Sequence, residues 1–135
     1  MSENIEELFN ILKEEFDLYT SLKETANAKK EAIVNNKIDD LAEAVERENE
    51  ILDNLEKFEN DREEILTLLE DKYDLAQDFQ FSNLINNFPK EWQEKYTELR
   101  NDLLEVIDEI HEKNQENAVL LDEAIKLNNF SLKML

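Results

Sequence analysis

Apolar residues recur along most of this chain at intervals of three, four and seven, the spacing that lines one face of an α-helix. Between residues 3 and 34 the repeating positions are Ile5, Leu8, Leu12, Phe16, Tyr19, Leu22, Ala26 and Ile33, with Phe9, Ile11 and Leu18 widening the stripe. The spacing predicts a first helix over 3–34. It is interrupted by the run from Asn35 to Leu41, Asn-Asn-Lys-Ile-Asp-Asp-Leu. Asparagine tolerates the left-handed geometry that ends a helix better than most residues, so the stop is expected at Asn35 or Asn36. Asp39 or Asp40 can then cap a second helix, and Asp40 with Glu43 makes an aspartate version of the capping box. So short a break between two long helices implies an antiparallel hairpin.

The second helix is expected over 39–75, with Leu41, Val45, Glu48, Leu52, Leu55, Phe58, Arg62, Ile65, Leu69 and Tyr73 on its stripe. Two charged residues on that stripe predict a seam with exposed margins rather than a deep core. From 76 to 88 the period fails, and the segment reads as a connecting loop with about one helical turn. Its apolar residues, Phe79, Phe81, Leu84, Ile85 and Phe88, are expected to fold over the end of the bundle. Pro89 suits the first turn of a third helix, where its missing N–H costs nothing. Beyond it Trp92, Tyr96, Leu99, Leu103, Val106, Ile110, Asn114, Asn117, Leu121, Ala124 and Asn128 mark a coiled-coil-like seam. The third helix is expected to run from 89 to 135. The fold class is therefore all-α: an elongated antiparallel three-helix bundle or coiled coil with a long C-terminal helix, one domain over 1–135.

Composition narrows what such a bundle can do. The chain contains no glycine, no cysteine and a single proline. Phosphate-cradling glycine loops, thiolate zinc sites and disulfide frames are excluded with them. Its 35 acidic residues against 15 basic ones give a net charge of −20. Such a surface repels nucleic acid and anionic lipid, both of which need a clustered positive face. Fifteen of the acids fall between residues 39 and 76, against four bases, and read as a solvated outer face. No apolar run approaches the ~20 residues of a membrane span, and the acidic N-terminus lacks the positive start of a secretory signal. A cytoplasmic protein without membrane insertion is expected.

Catalytic chemistry finds no foothold. The single histidine, His111, has Asp108 three residues before it, yet a di-iron bundle needs that pairing on two helices. The four serines, Ser2, Ser21, Ser82 and Ser131, sit in tails, a loop or a helix flank, with no glycine-built oxyanion pocket. His111 reads as a surface residue beside the seam. No enzymatic activity, cofactor or metal is expected.

The C-terminal segment is more informative. Eleven of the eighteen residues from 118 to 135 are apolar, and they lie around a helix rather than along one stripe. A helix apolar on all sides must be buried by something. In an up–down–up bundle the third helix outruns its neighbours, which leaves this segment to a partner, a homodimer mate, or disorder until one of them arrives. Asparagines 114, 117 and 128 on its seam either set register or wait for polar groups of that partner. The expected binding residues are Asn117, Leu120, Leu121, Ala124, Ile125, Asn128, Phe130 and Leu132.

With these segments in place, the chain resembles the flagellar type III export chaperones of the FlgN family. The stretches that carry the resemblance are LFNILKEEFDLYTSLKETANAKKEAIVNN, NKIDDLAEAVERENEILDNLEKFENDRE, ELRNDLLEVIDEIHEKNQENAVLLDEAI and the terminal leucine- and asparagine-rich tail. Glu48 and Arg62 stand where the family's second helix bears a Glu and an Arg. Asn114 and Asn117, followed by Leu120 and Leu121, fit its Asn-x-x-Asn and leucine pair. The family's usual glycine in the break is Asn36 here, and the loop 76–89 has no distinctive match. The resemblance implies a cytosolic chaperone that binds hook–filament junction proteins, masks the terminal helices by which they polymerise, and delivers them to the export apparatus. It associates substrate binding with the C-terminal helix region. The alternative reading is a coiled-coil tether or scaffold acting as a homodimer, which would be a stable dimer alone.

Overall fold

The computed structural model describes residues 2–76 and 78–117. They form four helices in chain order: α1 (Ser2–Val34), α2 (Ile38–Tyr73), α3 (Phe81–Ile85) and α4 (Lys90–Glu116). The fold is all-α, as the periodicity predicts. The first two helices match the expected bounds within two residues. The expected single turn in the connection is α3.

In a chain without glycine, asparagine and aspartate supply the left-handed residues that end helices. Asn36 has φ 55° and Asp74 φ 52°. After α1 the Lys37 N–H reaches the Ala32 carbonyl at 2.9 Å, and the Asn36 N–H reaches Ile33 at 3.2 Å. After α2 the Leu75 N–H bonds the Glu70 carbonyl at 3.0 Å, and the Asp74 N–H lies 3.4 Å from that of Asp71. Both are Schellman closures, which satisfy carbonyls a helix end would otherwise leave open. The expected aspartate cap of α2 is not what the structure shows. Lys37 is its N-cap and makes no side-chain cap bond, so Asp39 and Asp40 lie inside the first turn. There their charges still favour the positive end of the helix dipole. Pro89 is likewise one position earlier than expected, as the N-cap of α4 with φ −53° and ψ 147°.

α1 is the central helix and packs against both α2 and α4. Its buried residues Ile5, Leu8, Leu12, Tyr19 and Leu22 meet Leu55, Ile65 and Leu69 of α2 and Tyr96, Leu99, Leu103, Val106, Ile107 and Ile110 of α4. Each such side chain contributes about 1.5–3 kcal/mol relative to exposure. α2 runs antiparallel to α1, because Glu15 pairs with Arg62 and Lys29 with Glu48. α4 runs parallel to α1, because Tyr96 bonds Ile5 near one end while Lys23 pairs with Glu109 and Lys30 with Glu116 towards the other. That is the expected up–down–up order.

The connection closes the end of the bundle where α1 begins. Phe81, Leu84, Ile85 and Phe88 are buried. Phe88 and Phe9 each meet the Tyr96 ring edge-on, at 5.0 and 5.3 Å between centroids, and Phe9 also meets Trp92 at 5.5 Å. Edge-to-face rings of this kind add about 0.5–1.5 kcal/mol beyond their burial. The Tyr96 hydroxyl donates to the Ile5 carbonyl, so its one polar group is satisfied in the core. Burial holds that phenol well above its ordinary pKa.

Candidate partner-binding surface

Two buried ion pairs tie α1 to α2. Arg62 donates through Nη1 to Glu15 Oε2 at 2.7 Å, and Lys29 Nζ donates to Glu48 Oε2 at 2.6 Å. All four side chains are nearly inaccessible to solvent. The expectation that Glu48 and Arg62 mark exposed margins of the seam is corrected here: they are core positions. Their partners, Glu15 and Lys29, were absent from the expected α1 stripe. A signal for them is present in the sequence. Leu8, Leu12, Glu15, Tyr19, Leu22, Ala26 and Lys29 step by four and three without a break, so heptad spacing alone puts both charges on the seam. Residue 16, placed on the stripe instead of Glu15, is half-buried beside it. Burial pushes the Glu15 carboxyl up to about 7, against the opposing pull of Arg62.

At the far end of α4 the expected binding residues begin. Asn117 is the one among them that falls within the described residues. It is buried, and its Nδ2 donates to the Ala26 carbonyl of α1 at 3.0 Å. Its backbone leaves helical geometry, with φ −100° and ψ 55°, so the regular helix stops at Glu116. Of the helix expected over 89–135, Lys90–Glu116 is the described part, and its continuation from 118 lies outside the described residues. Leu120, Leu121, Ala124, Ile125, Asn128, Phe130 and Leu132 lie outside the described residues. One turn before, Asn114 is also buried, and its Oδ1 has no hydrogen-bond partner among the described residues. Flanking these asparagines, Lys23 bonds Glu109 at 2.8 Å and Lys30 bonds Glu116 at 2.6 Å. Hydrogen bonding to the carboxylate raises the Lys23 ammonium above its ordinary value, and Lys30 lowers that of Glu116. Both pairs are exposed enough that water screens most of their worth.

Next to this end of α4 stands the tip of the α1–α2 hairpin. Ile33, Val34 and Ile38 are exposed there at 43, 73 and 76 %. Ile33 was expected in the seam. The described part of α4 ends before reaching it. Beside the tip a cleft of about 250 Å³ is lined by Ala28, Glu31, Ala32, Asn35, Lys37, Asp40, Glu43 and Arg47. His111 is partly exposed, with Nε2 3.2 Å from Gln115 Nε2. Among the described residues no three histidines, aspartates or glutamates converge as metal ligands, and no described helix is long and apolar enough to cross a membrane. What the arrangement offers chemically is apolar surface at one end of an acidic helical bundle.

A family model described as FlgN protein matches residues 1–135, the whole chain. The chain belongs to the FlgN family. FlgN proteins are flagellar export chaperones, and the family is not one of enzymes. The bundle described above is accordingly that of a flagellar export chaperone in general outline. Neither a curated protein nor a solved structure matches the chain.

Proposed function

We propose that this FlgN protein is a cytosolic chaperone for hook–filament junction proteins, which it holds through residues 118–135 and delivers to the flagellar type III export apparatus. The observation that carries the reading is a mismatch of length and composition at one end of the bundle. Glu116 lies against Lys30, and beyond Lys30 only Glu31–Val34 of α1 remain. Eighteen residues follow Asn117, and eleven of them are apolar. The bundle has too little surface left to bury so many. A partner that brings the amphipathic helix by which it polymerises supplies the missing apolar face, in helix-in-groove fashion. Its own assembly is then blocked for as long as it is held. The binding residues under this proposal are Leu120, Leu121, Ala124, Ile125, Asn128, Phe130 and Leu132, with Asn117 fixing the point at which the segment departs from α1.

The test is co-elution of the purified chain with a purified hook–filament junction protein on size exclusion. A complex that leaves the junction protein unable to polymerise is the expected result. A chain that stays a stable homodimer and ignores the junction protein would overturn the proposal in favour of a tether.

A further inference from the structure

The face of α1 that α4 covers does not end where α4 ends. Lys23 and Lys30 touch Glu109 and Glu116 of α4, and Ala26 touches Asn117 just after it. Three or four residues further along a helix return to the same face, and at those positions stand Ile33 and Val34. Ile38, the first residue of α2, adjoins them across the three-residue turn. These are three of the four large hydrophobic side chains exposed among the described residues, and the fourth, Leu68, lies far along α2. The covered stripe thus continues as apolar surface for one more turn with nothing described over it.

We propose that residues 118–135 of the same chain pack back over Ile33, Val34 and Ile38 when no partner is bound, so that the partner must displace this self-contact. This regulatory half rests on the function proposed above. Position and reach argue for this occupant. Asn117 is pinned to Ala26, eight residues before Val34, or about 12 Å at the helical rise. Eighteen residues cover that distance even if all are helical, since they then span about 27 Å. Charge agrees. Residues 118–135 carry two acids and two bases, and the tip from Ala26 to Ile38 carries three lysines and one glutamate. The segment therefore adds no net side-chain charge to a chain whose net charge is −20. A second copy would bring its whole acidic bundle alongside and pay in repulsion.

The absence of native cysteine makes the test clean. Val34→Cys is combined with Leu121→Cys, and separately with Ile125→Cys, and each full-length variant is oxidised mildly at low concentration. Leu68→Cys with Ile125→Cys is the control. Melting temperature establishes that every variant folds. The expected result is a disulfide within the monomer for at least one tip pair and none for the control. No monomeric crosslink, an equal one in the control, or a crosslinked dimer would overturn the self-contact. Adding a hook–filament junction protein should reduce the crosslinked fraction several-fold. An unchanged fraction with the partner bound would overturn displacement. Because the crosslink is read on the free chain, its failure is separate from failure of the junction protein to bind.

Discussion

Glu15 illustrates how a single residue can make stability respond to pH. Its carboxyl is raised from an ordinary 4.5 to about 7 by burial. Folding therefore favours the protonated form. The stabilisation is present in full below the unfolded value and is lost as pH rises through about 7. The wild-type melting temperature should accordingly fall between about pH 4.5 and pH 7 and level off above, by an amount equivalent to on the order of 1–3 kcal/mol. Glu15→Gln keeps an acceptor for Arg62 without the titrating charge, so its profile should be flatter over the same interval. Thermal melts of the two proteins across that range check this. Parallel slopes would mean that the pH dependence arises elsewhere among the 35 acidic residues.

At the scale of elements, the two buried pairs act as a register lock. From Glu15 to Lys29 along α1 is fourteen residues, and from Arg62 back to Glu48 along α2 is also fourteen, so both pairs belong to one alignment. A slip of one turn would strand four charges in the seam. Removing one partner leaves a buried charge, and Arg62→Met should cost about 3–5 kcal/mol. Glu15→Leu with Arg62→Met should recover most of that, because apolar replacements of buried pairs are often neutral or stabilising. Denaturant unfolding of the single and double variants measures both. A double variant as unstable as the single would show that the pair stabilises the hairpin rather than aligns it. This is also where legibility in the sequence divides. Helix number, order and the turn at Asn36 follow from apolar periodicity and from the few residues that tolerate a left-handed backbone. The buried pairs were hidden because a charge on a stripe reads as exposure until its partner on another helix is known. The buried contact of Asn117 was hidden because its partner, the Ala26 carbonyl, lies 91 residues away in sequence. The exposed tip was hidden too, since Ile33 has seam spacing and the described part of α4 ends before reaching it.

For the whole molecule, a net charge of −20 on so slender a bundle is a standing repulsion. It keeps the chain from associating non-specifically, which suits a chaperone carrying apolar surface at one end. Exposed pairs such as Lys30–Glu116 offset little of it. Raising the salt from about 0.01 to 0.15 M shortens the screening length from about 30 to 8 Å, so the melting temperature should rise with salt. A fall would mean that ion pairs outweigh the repulsion. The central claim concerns the other end of the balance, the apolar residues beyond Asn117, and isothermal titration of a hook–filament junction protein tests it most directly. Leu121→Asp and Ile125→Asp should each weaken capture by several kcal/mol, since an unpaired carboxylate would be buried against partner apolar groups. Their melting temperatures should stay near wild type, whereas Leu103→Asp, inside the core, should unfold the bundle. Unchanged affinity in Leu121→Asp and Ile125→Asp, with the bundle intact, would contradict the account.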